Sequence, residues 1–406
     1  MNIIYIAYSC APNNGTEDKL GWYIPYEASK RNNVWVITKS QGKEAIENFQ
    51  KDNDSNIHVV YCDVSNKIKK IYKGAFYSGR MNYWNRKAEI ECRKICSENN
   101  IDVVHQINPV EFRSIGNYGQ FGVPFVCGPV GGGEYLPREV VGYAHNGLDK
   151  EIIRAIANSF YKWKYLLQGR LKGIDKLIFA NEETKRYLIP QRCQNNYLVM
   201  TEIGTLPKKN NLIVEQMKLN SKTQFLAAGR LIYRKGFSLL LDSIEEIPHE
   251  YNLSCTIVGD GPLYSKLKNR IKNSDILSKR VEMVGRVPYE QMDKYYNVAD
   301  YLVMPSLRET TGSVVLEAME NGIPVITVNK FGAKNLLDTS NSIVYSYDTL
   351  SPKEALKEAL IEAIERKGCF DKEVIETKAG DFSFENRAAL FEKMYVDVLE
   401  RYKAIK

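Results

Sequence analysis

The chain has 406 residues, with 56 Lys and Arg against 49 Asp and Glu for a net charge of +7. Hydrophobic residues at 44% and aromatics at 11% exclude a disordered or collagen-like chain, and no apolar run approaches the roughly 20 residues that span a bilayer. The length suits two or three domains, each large enough to bury a core.

Ile3-Ile4-Tyr5-Ile6-Ala7-Tyr8 begins without a basic leader, which predicts a buried first strand rather than a signal peptide, and hence a cytoplasmic protein. Further strands are predicted at Val34–Thr38, Ile57–Tyr61, Val103–His105, Phe125–Cys127, Lys176–Ala180 and Tyr197–Met200. A polar, turn-rich stretch from Thr201 to Asn210 then divides the chain. Beyond it, strands are predicted at Thr223–Ala227, Ser254–Val258, Val281–Val284, Tyr301–Met304, Pro324–Thr327 and Ser342–Tyr345, with helices such as Ser238–Glu246, Leu263–Lys272, Tyr289–Val298 and Lys353–Arg366 between them. Strands alternating with helices predict α/β architecture with parallel sheets, in two Rossmann-like domains of residues 1–203 and 204–383 facing a central cleft. The eight cysteines are scattered, and a lone C-x3-C at Cys92 and Cys96 with no His nearby makes a poor metal site, so they read as buried thiols.

The charge is concentrated. Asn66 to Lys94 holds nine Lys or Arg against two Glu, interleaved with Tyr72, Phe76, Tyr77, Tyr83 and Trp84; Glu151 to Lys176 holds six basic and two acidic residues, with Phe160, Tyr161, Trp163 and Tyr165. Basic, aromatic, helix-compatible stretches suit an anionic membrane surface, or else are solvated helix faces; no nucleic-acid motif accompanies them.

The loops after the strands of the second half carry the chemistry. The first strand is followed by Gly229-Arg230 and then Lys235-Gly236, a planar fork and a point charge suited to a diphosphate. The next two are followed by Gly259-Asp260-Gly261-Pro262 and by Gly285-Arg286-Val287-Pro288, where glycines permit close backbone approach and the Val287 backbone can meet a flat base. After Tyr301–Met304 comes a loop with Glu309, Thr310, Thr311 and Gly312; Gly312 or Ser313 opens a helix whose free N–H groups favour an anion, and Glu317 lies one turn inside, within reach of a sugar diol. The dehydrogenase fingerprint G-x-G-x-x-G is missing after the first strand, where only Gly15 stands, and no G-x4-G-K-[ST] occurs, which disfavours hydride transfer and P-loop phosphoryl transfer.

In order and spacing, G-R-x4-K-G, G-D-G-P, G-R-V-P and E-x7-E resemble a retaining glycosyltransferase of family 4 with the GT-B fold. Cys127-Gly128-Pro129-Val130-Gly131-Gly132-Gly133-Glu134 resembles the branch that builds bacterial surface polysaccharides. The resemblance implies transfer of a hexose from a nucleotide diphosphate sugar, with uridine as the default base, to a glycan or lipid-linked acceptor on the inner face of the membrane, without a metal or other cofactor and without nucleic acid. It implies that Arg230, Lys235 and the helix at Gly312 stabilise the departing diphosphate, that Glu317 holds the ribose, that Glu309 and the backbone from Thr311 to Ser313 position the sugar, and that Thr310 is part of the donor site. Gly15 matches the glycine loop near the donor phosphates, and Gly259 a donor-side turn. Where many members carry a His contacting the sugar, this chain reads Gly-Pro, so Gly132, Gly133 and Glu134, or His105 from the preceding strand, are the expected substitutes. The helix from about residue 384 to 406 is expected to cross back onto the first domain. An epimerase or phosphorylase of the same fold and a non-catalytic membrane-binding protein are the rival readings.

Overall fold

The computed structural model describes residues 1–53, 55–72, 77–189, 197–206 and 222–405. Part of the dividing stretch, Pro207 to Asn210, lies outside them, as do Lys73, Phe76 and Cys193. The chain forms two compact units, one of residues 1–134, 152–204 and 382–406, the other of residues 135–151 and 205–381. The chain passes from the first unit to the second between Gly204 and Thr205, and the segment from Tyr135 to Glu151, expected in the first domain, belongs to the second unit.

Among the described residues the first unit holds seven parallel strands, β1 (Asn2–Ala7), β2 (Asn33–Thr38), β3 (His58–Tyr61), β4 (Val103–Asn108), β5 (Phe125–Val130), β6 (Lys176–Phe179) and β7 (Tyr197–Val199), in the spatial order β3-β2-β1-β4-β5-β6-β7. The described residues of the second hold six, β8 (Thr223–Ala228), β9 (Leu253–Val258), β10 (Val281–Gly285), β11 (Tyr301–Met304), β12 (Val325–Val328) and β13 (Ser342–Tyr345), in the order β10-β9-β8-β11-β12-β13. Both orders run outward from the first strand and reverse, the doubly wound pattern, and each leaves a crevice at the strands' carboxyl ends where the order turns, between β1 and β4 and between β8 and β11. The α/β expectation holds. Central strands read as continuous apolar runs because helices cover both faces, and Ile3 to Ala7 are fully buried.

The first unit is closed by helix Phe384–Ile405. Phe384 stacks on Tyr23 of helix Thr16–Ser29, the Arg31 guanidinium donates to Glu392 at 3.0 and 3.1 Å, and the Tyr395 hydroxyl sits 2.6 Å from Nδ1 of His105. Arg387 donates to the carbonyl and hydroxyl of Thr201.

Helix Tyr77–Glu98 turns Met81, Trp84, Ala88, Cys92 and Ile95 inward at a helical period. Trp84 is fully buried and donates its indole N–H to the Cys62 carbonyl at 2.9 Å, so it is no membrane anchor. The opposite pattern marks helix Leu148–Leu167. There Ile152, Ile153, Ile156, Phe160, Trp163, Leu166 and Leu167 are all exposed, Trp163 by 63% and Leu167 by 84%, while Asn158, Tyr161 and Tyr165 face the core.

Candidate functional site

The second unit brings most of the expected donor-site residues to the crevice between β8 and β11. The chain leaves β8 through Gly229-Arg230, makes a single 3-10 turn at Tyr233–Lys235 and enters helix Phe237–Glu245 through Gly236. Gly236 has φ +72°, and a Cβ there would lie 1.8 Å from the Pro305 carbonyl, so only glycine lets this turn press against the loop after β11. The Leu307 N–H donates to the Arg234 carbonyl at 2.8 Å and fixes that contact. Neighbouring loops join in the same way: Leu231 donates to the Asp260 carbonyl at 2.9 Å, and Gly259 to the Gly285 carbonyl at 2.8 Å. Val287 follows as a half-buried residue, and Tyr289 beyond it feels the charge of Glu317.

This frame seats a buried carboxylate. Glu309 is 7% exposed, its Oε2 paired with the Lys235 ammonium and its Oε1 with the Arg234 guanidinium at 3.3 Å. Burial pushes the Glu309 carboxyl up, and the two cations more than reverse this and hold it below its ordinary value. Arg230, the expected partner of Lys235, is instead exposed and makes no ion pair among the described residues. Arg234 was missed; its position one residue before Lys235, in a turn tight enough to point both toward Glu309, was the available signal.

The chain runs on through Thr310, whose N–H contacts Glu309 Oε1 at 3.3 Å, to Thr311, fully buried against Gly332. Gly312, at φ +92°, precedes helix Ser313–Glu320; a Cβ there would come within 2.7 Å of Met304 Sδ. Glu317, half-buried inside this helix, accepts the Tyr296 hydroxyl at 2.9 Å. That hydroxyl's pKa lies well above the ordinary tyrosine value, through burial and then the Glu317 charge, so it stays a donor and orients the carboxylate. Tyr296 was not anticipated. Glu151 also belongs here, accepting from Arg308 at 2.9 and 3.1 Å and from the Tyr233 hydroxyl at 2.7 Å. Among the described residues no three His, Cys, Asp or Glu side chains gather as a metal site.

The remaining expected residues lie in the first unit. Gly15 is exposed and caps helix Thr16–Ser29. His105 is corrected: it is fully buried in β4, with Nδ1 on Tyr395 and Nε2 2.7 Å from the Gly128 carbonyl, so neither nitrogen is offered to a ligand. Burial lowers its pKa to about 4 and keeps it neutral. Glu134 is buried too; its Oε1 accepts from Asn181 at 2.7 Å, Gly132 N–H at 3.0 Å and Thr184 at 3.2 Å. The Gly132 carbonyl accepts from Arg154 and Asn158, both at 2.8 Å, and Gly133 N–H donates to Thr184 at 3.1 Å, so this trio is a braced turn.

Residues 209–376 match the family described as Glycosyl transferases group 1. In fold the chain resembles the apo form of the lipopolysaccharide outer core galactosyltransferase WaaB, with a TM-score of 0.63 at 15% identity, covering 97% of this chain and all of that one. It likewise resembles HepE of Anabaena in complex with UDP, with a TM-score of 0.57 at 15% identity, covering 98% and 100%. The fold is GT-B. In sequence, the chain is 26% identical over 189 residues to the amylovoran biosynthesis glycosyltransferase AmsK of Erwinia amylovora, covering 43% of this chain and 46% of that protein. The chain spans about half the length of the curated relatives it matches.

Proposed function

We propose that the protein is a retaining glycosyltransferase that moves a hexose from a nucleotide diphosphate sugar, with UDP as the default carrier, to a glycan or lipid-linked acceptor of surface polysaccharide synthesis. The observation that carries this is the Lys235–Glu309–Arg234 cluster in the β8/β11 crevice, one turn from the start of helix Ser313–Glu320. Breaking a glycosidic bond to a diphosphate puts growing negative charge on the leaving oxygens. Two cations and free helix N–H groups, fixed beforehand by packed glycine loops, meet that charge without reorganising. Arg230, exposed at the same strand end, adds a third cation once the diphosphate is there. Glu309 holds the cations in place and offers carboxylate oxygens to sugar hydroxyls. Glu317, aimed by Tyr296, takes the ribose diol. The chemistry uses no metal, because the cations supply the charge, and the leaving phosphate accepts the proton of the attacking hydroxyl on the same face.

The acceptor reading includes a membrane. The exposed stripe of helix Leu148–Leu167 spans Ile152 to Leu167 at helical spacing, flanked by Lys162 and Lys164, which suits the headgroup level of an anionic leaflet. No described helix is long and apolar enough to cross a bilayer.

The test is calorimetric titration of UDP followed by product analysis with a panel of nucleotide sugars. Lys235→Ala should fold, since Arg234 still holds Glu309, and should lose roughly 100–1,000-fold in turnover. Activity within about threefold of wild type, on that same scale, removes Lys235 from the leaving-group role, and an absence of UDP binding removes the reading.

A further inference from the structure

A second cavity, of about 340 Å³, opens in the first unit at the carboxyl ends of β1, β2 and β3. That is the side of a doubly wound sheet where ligands bind, and the volume lies at the small end of the roughly 300–1,000 Å³ of ligand pockets. Its charges are unbalanced. Lys39, Lys69 and Arg80 line it against Asp63 alone, a surplus of 3 − 1 = +2. Asp63 is already engaged, by Lys69 at 4.0 Å and by the Ser40 N–H at 3.3 Å.

Lys39 and Arg80 therefore face the cavity without a carboxylate in ion-pair contact among the described residues. The Lys39 ammonium rests over the Tyr8 ring at 4.7 Å and reaches the Ser9 hydroxyl at 3.5 Å. The Arg80 guanidinium lies over the Tyr77 ring at 4.5 Å, and its buried Nε–H has no hydrogen-bond partner. Burial lowers the Lys39 pKa; Asp18 and Glu17 oppose that from a distance, and the like charge of Arg80 adds to it. Two cations that repel each other in a partly desolvated pocket are stabilised by a dianion between them. Tyr8, Tyr77 and Trp84, packed edge to face, supply a wall for an organic group attached to it.

We propose that this cavity binds a phosphate or diphosphate ester, held between Lys39 and Arg80 with its organic part against Tyr8 and Tyr77. The site itself stands on its own geometry; its role as the seat of a phosphate-bearing acceptor rests on the glycosyl-transfer reading.

The experiment titrates inorganic pyrophosphate into the full chain with UDP saturating, so that the crevice of the second unit is filled. Wild type should bind, and Lys39→Gln with Arg80→Gln should weaken binding by at least about tenfold, the scale of lost charge-assisted hydrogen bonds. Should that variant fold poorly, Gln41→Glu, on the exposed rim, should weaken pyrophosphate binding by repulsion. UDP affinity should be unchanged in every variant. Pyrophosphate affinity equal to wild type in the double variant and in Gln41→Glu overturns the site. Geranyl diphosphate and glucose 1-phosphate, titrated next, assign the organic part as lipid or sugar by which binds more tightly, and equal affinities assign recognition to the phosphate alone. If UDP fails to bind while the double variant still abolishes pyrophosphate binding, the site stands and the transfer reading falls.

Discussion

Glu309 and Glu317 sit eight residues apart and make opposite kinds of contact, which separates their variants. Glu309→Gln leaves Lys235 and Arg234 without a counter-ion, so UDP should bind at least as tightly as to wild type while transfer falls. Glu317→Gln loses the charged acceptor that Tyr296 aims, and nucleotide affinity should fall by about 10–100-fold. Titration of free UDP decides, and an equal loss in both variants overturns the division of roles. His105 gives a pH prediction. Its folded pKa of about 4 lies below the unfolded value near 6.5, so the unfolded chain takes up the proton first. The stability His105 permits is whole above about pH 6.5 and is lost as pH falls toward 4, by up to about 3 kcal/mol. Denaturant unfolding at pH 7 and pH 4.5 should show a larger drop for wild type than for His105→Gln, and equal drops would reject the assignment. These residues also mark what was legible. Glu309, Lys235 and Glu317 could be read because each lies in a loop or helix start directly after an apolar strand. His105 could not, because the partner that closes its Nδ1 side, Tyr395, is 290 residues away and the sequence carries no sign of their meeting.

At the scale of elements, strands were easy to read because β-branched runs bounded by turn residues have few alternatives, and all thirteen predicted positions are strands. Helices that carry both charge and aromatics were harder. Residues 66–94 and 151–176 look alike in composition, yet Trp84 lies in the core and Trp163 lies in solvent. What distinguishes them is which side of the helix the sheet occupies, and composition does not encode that. The apolar stripe of helix Leu148–Leu167 is therefore the better membrane candidate. Trp163→Glu with Phe160→Glu should abolish sedimentation with anionic vesicles at low salt and leave UDP affinity intact. Wild type should also release at high salt, since the Debye length shrinks from about 10 Å at 0.1 M to about 3 Å at 1 M. Vesicle binding by the double variant equal to wild type would assign the stripe to another contact.

At the scale of the molecule, the break near residue 204 is visible as a turn-rich stretch, whereas the excursion of Tyr135 to Glu151 into the second unit is not, because it rests on tertiary contacts such as Glu151 with Arg308 and Tyr233. The first unit is discontinuous, and helix Phe384–Ile405 completes it. Deleting residues 382–406 uncovers Tyr5, Tyr23 and His105, and should strip hydrogen-exchange protection from β1 and β4 while β8 and β11 keep theirs. Uniform protection in the truncated chain would show the helix to be dispensable.

That same helix sets a timetable for synthesis. The strands of the first unit are all made by residue 199, but the helix that covers β1 and β4 begins only at Phe384, after the bulk of the second unit has been translated. At ~5–20 residues per second the delay is roughly 10–40 s. Through that interval the second unit can fold as it emerges, while the first waits with aromatic surface bare, so a nascent-chain chaperone has its longest opportunity on the first unit.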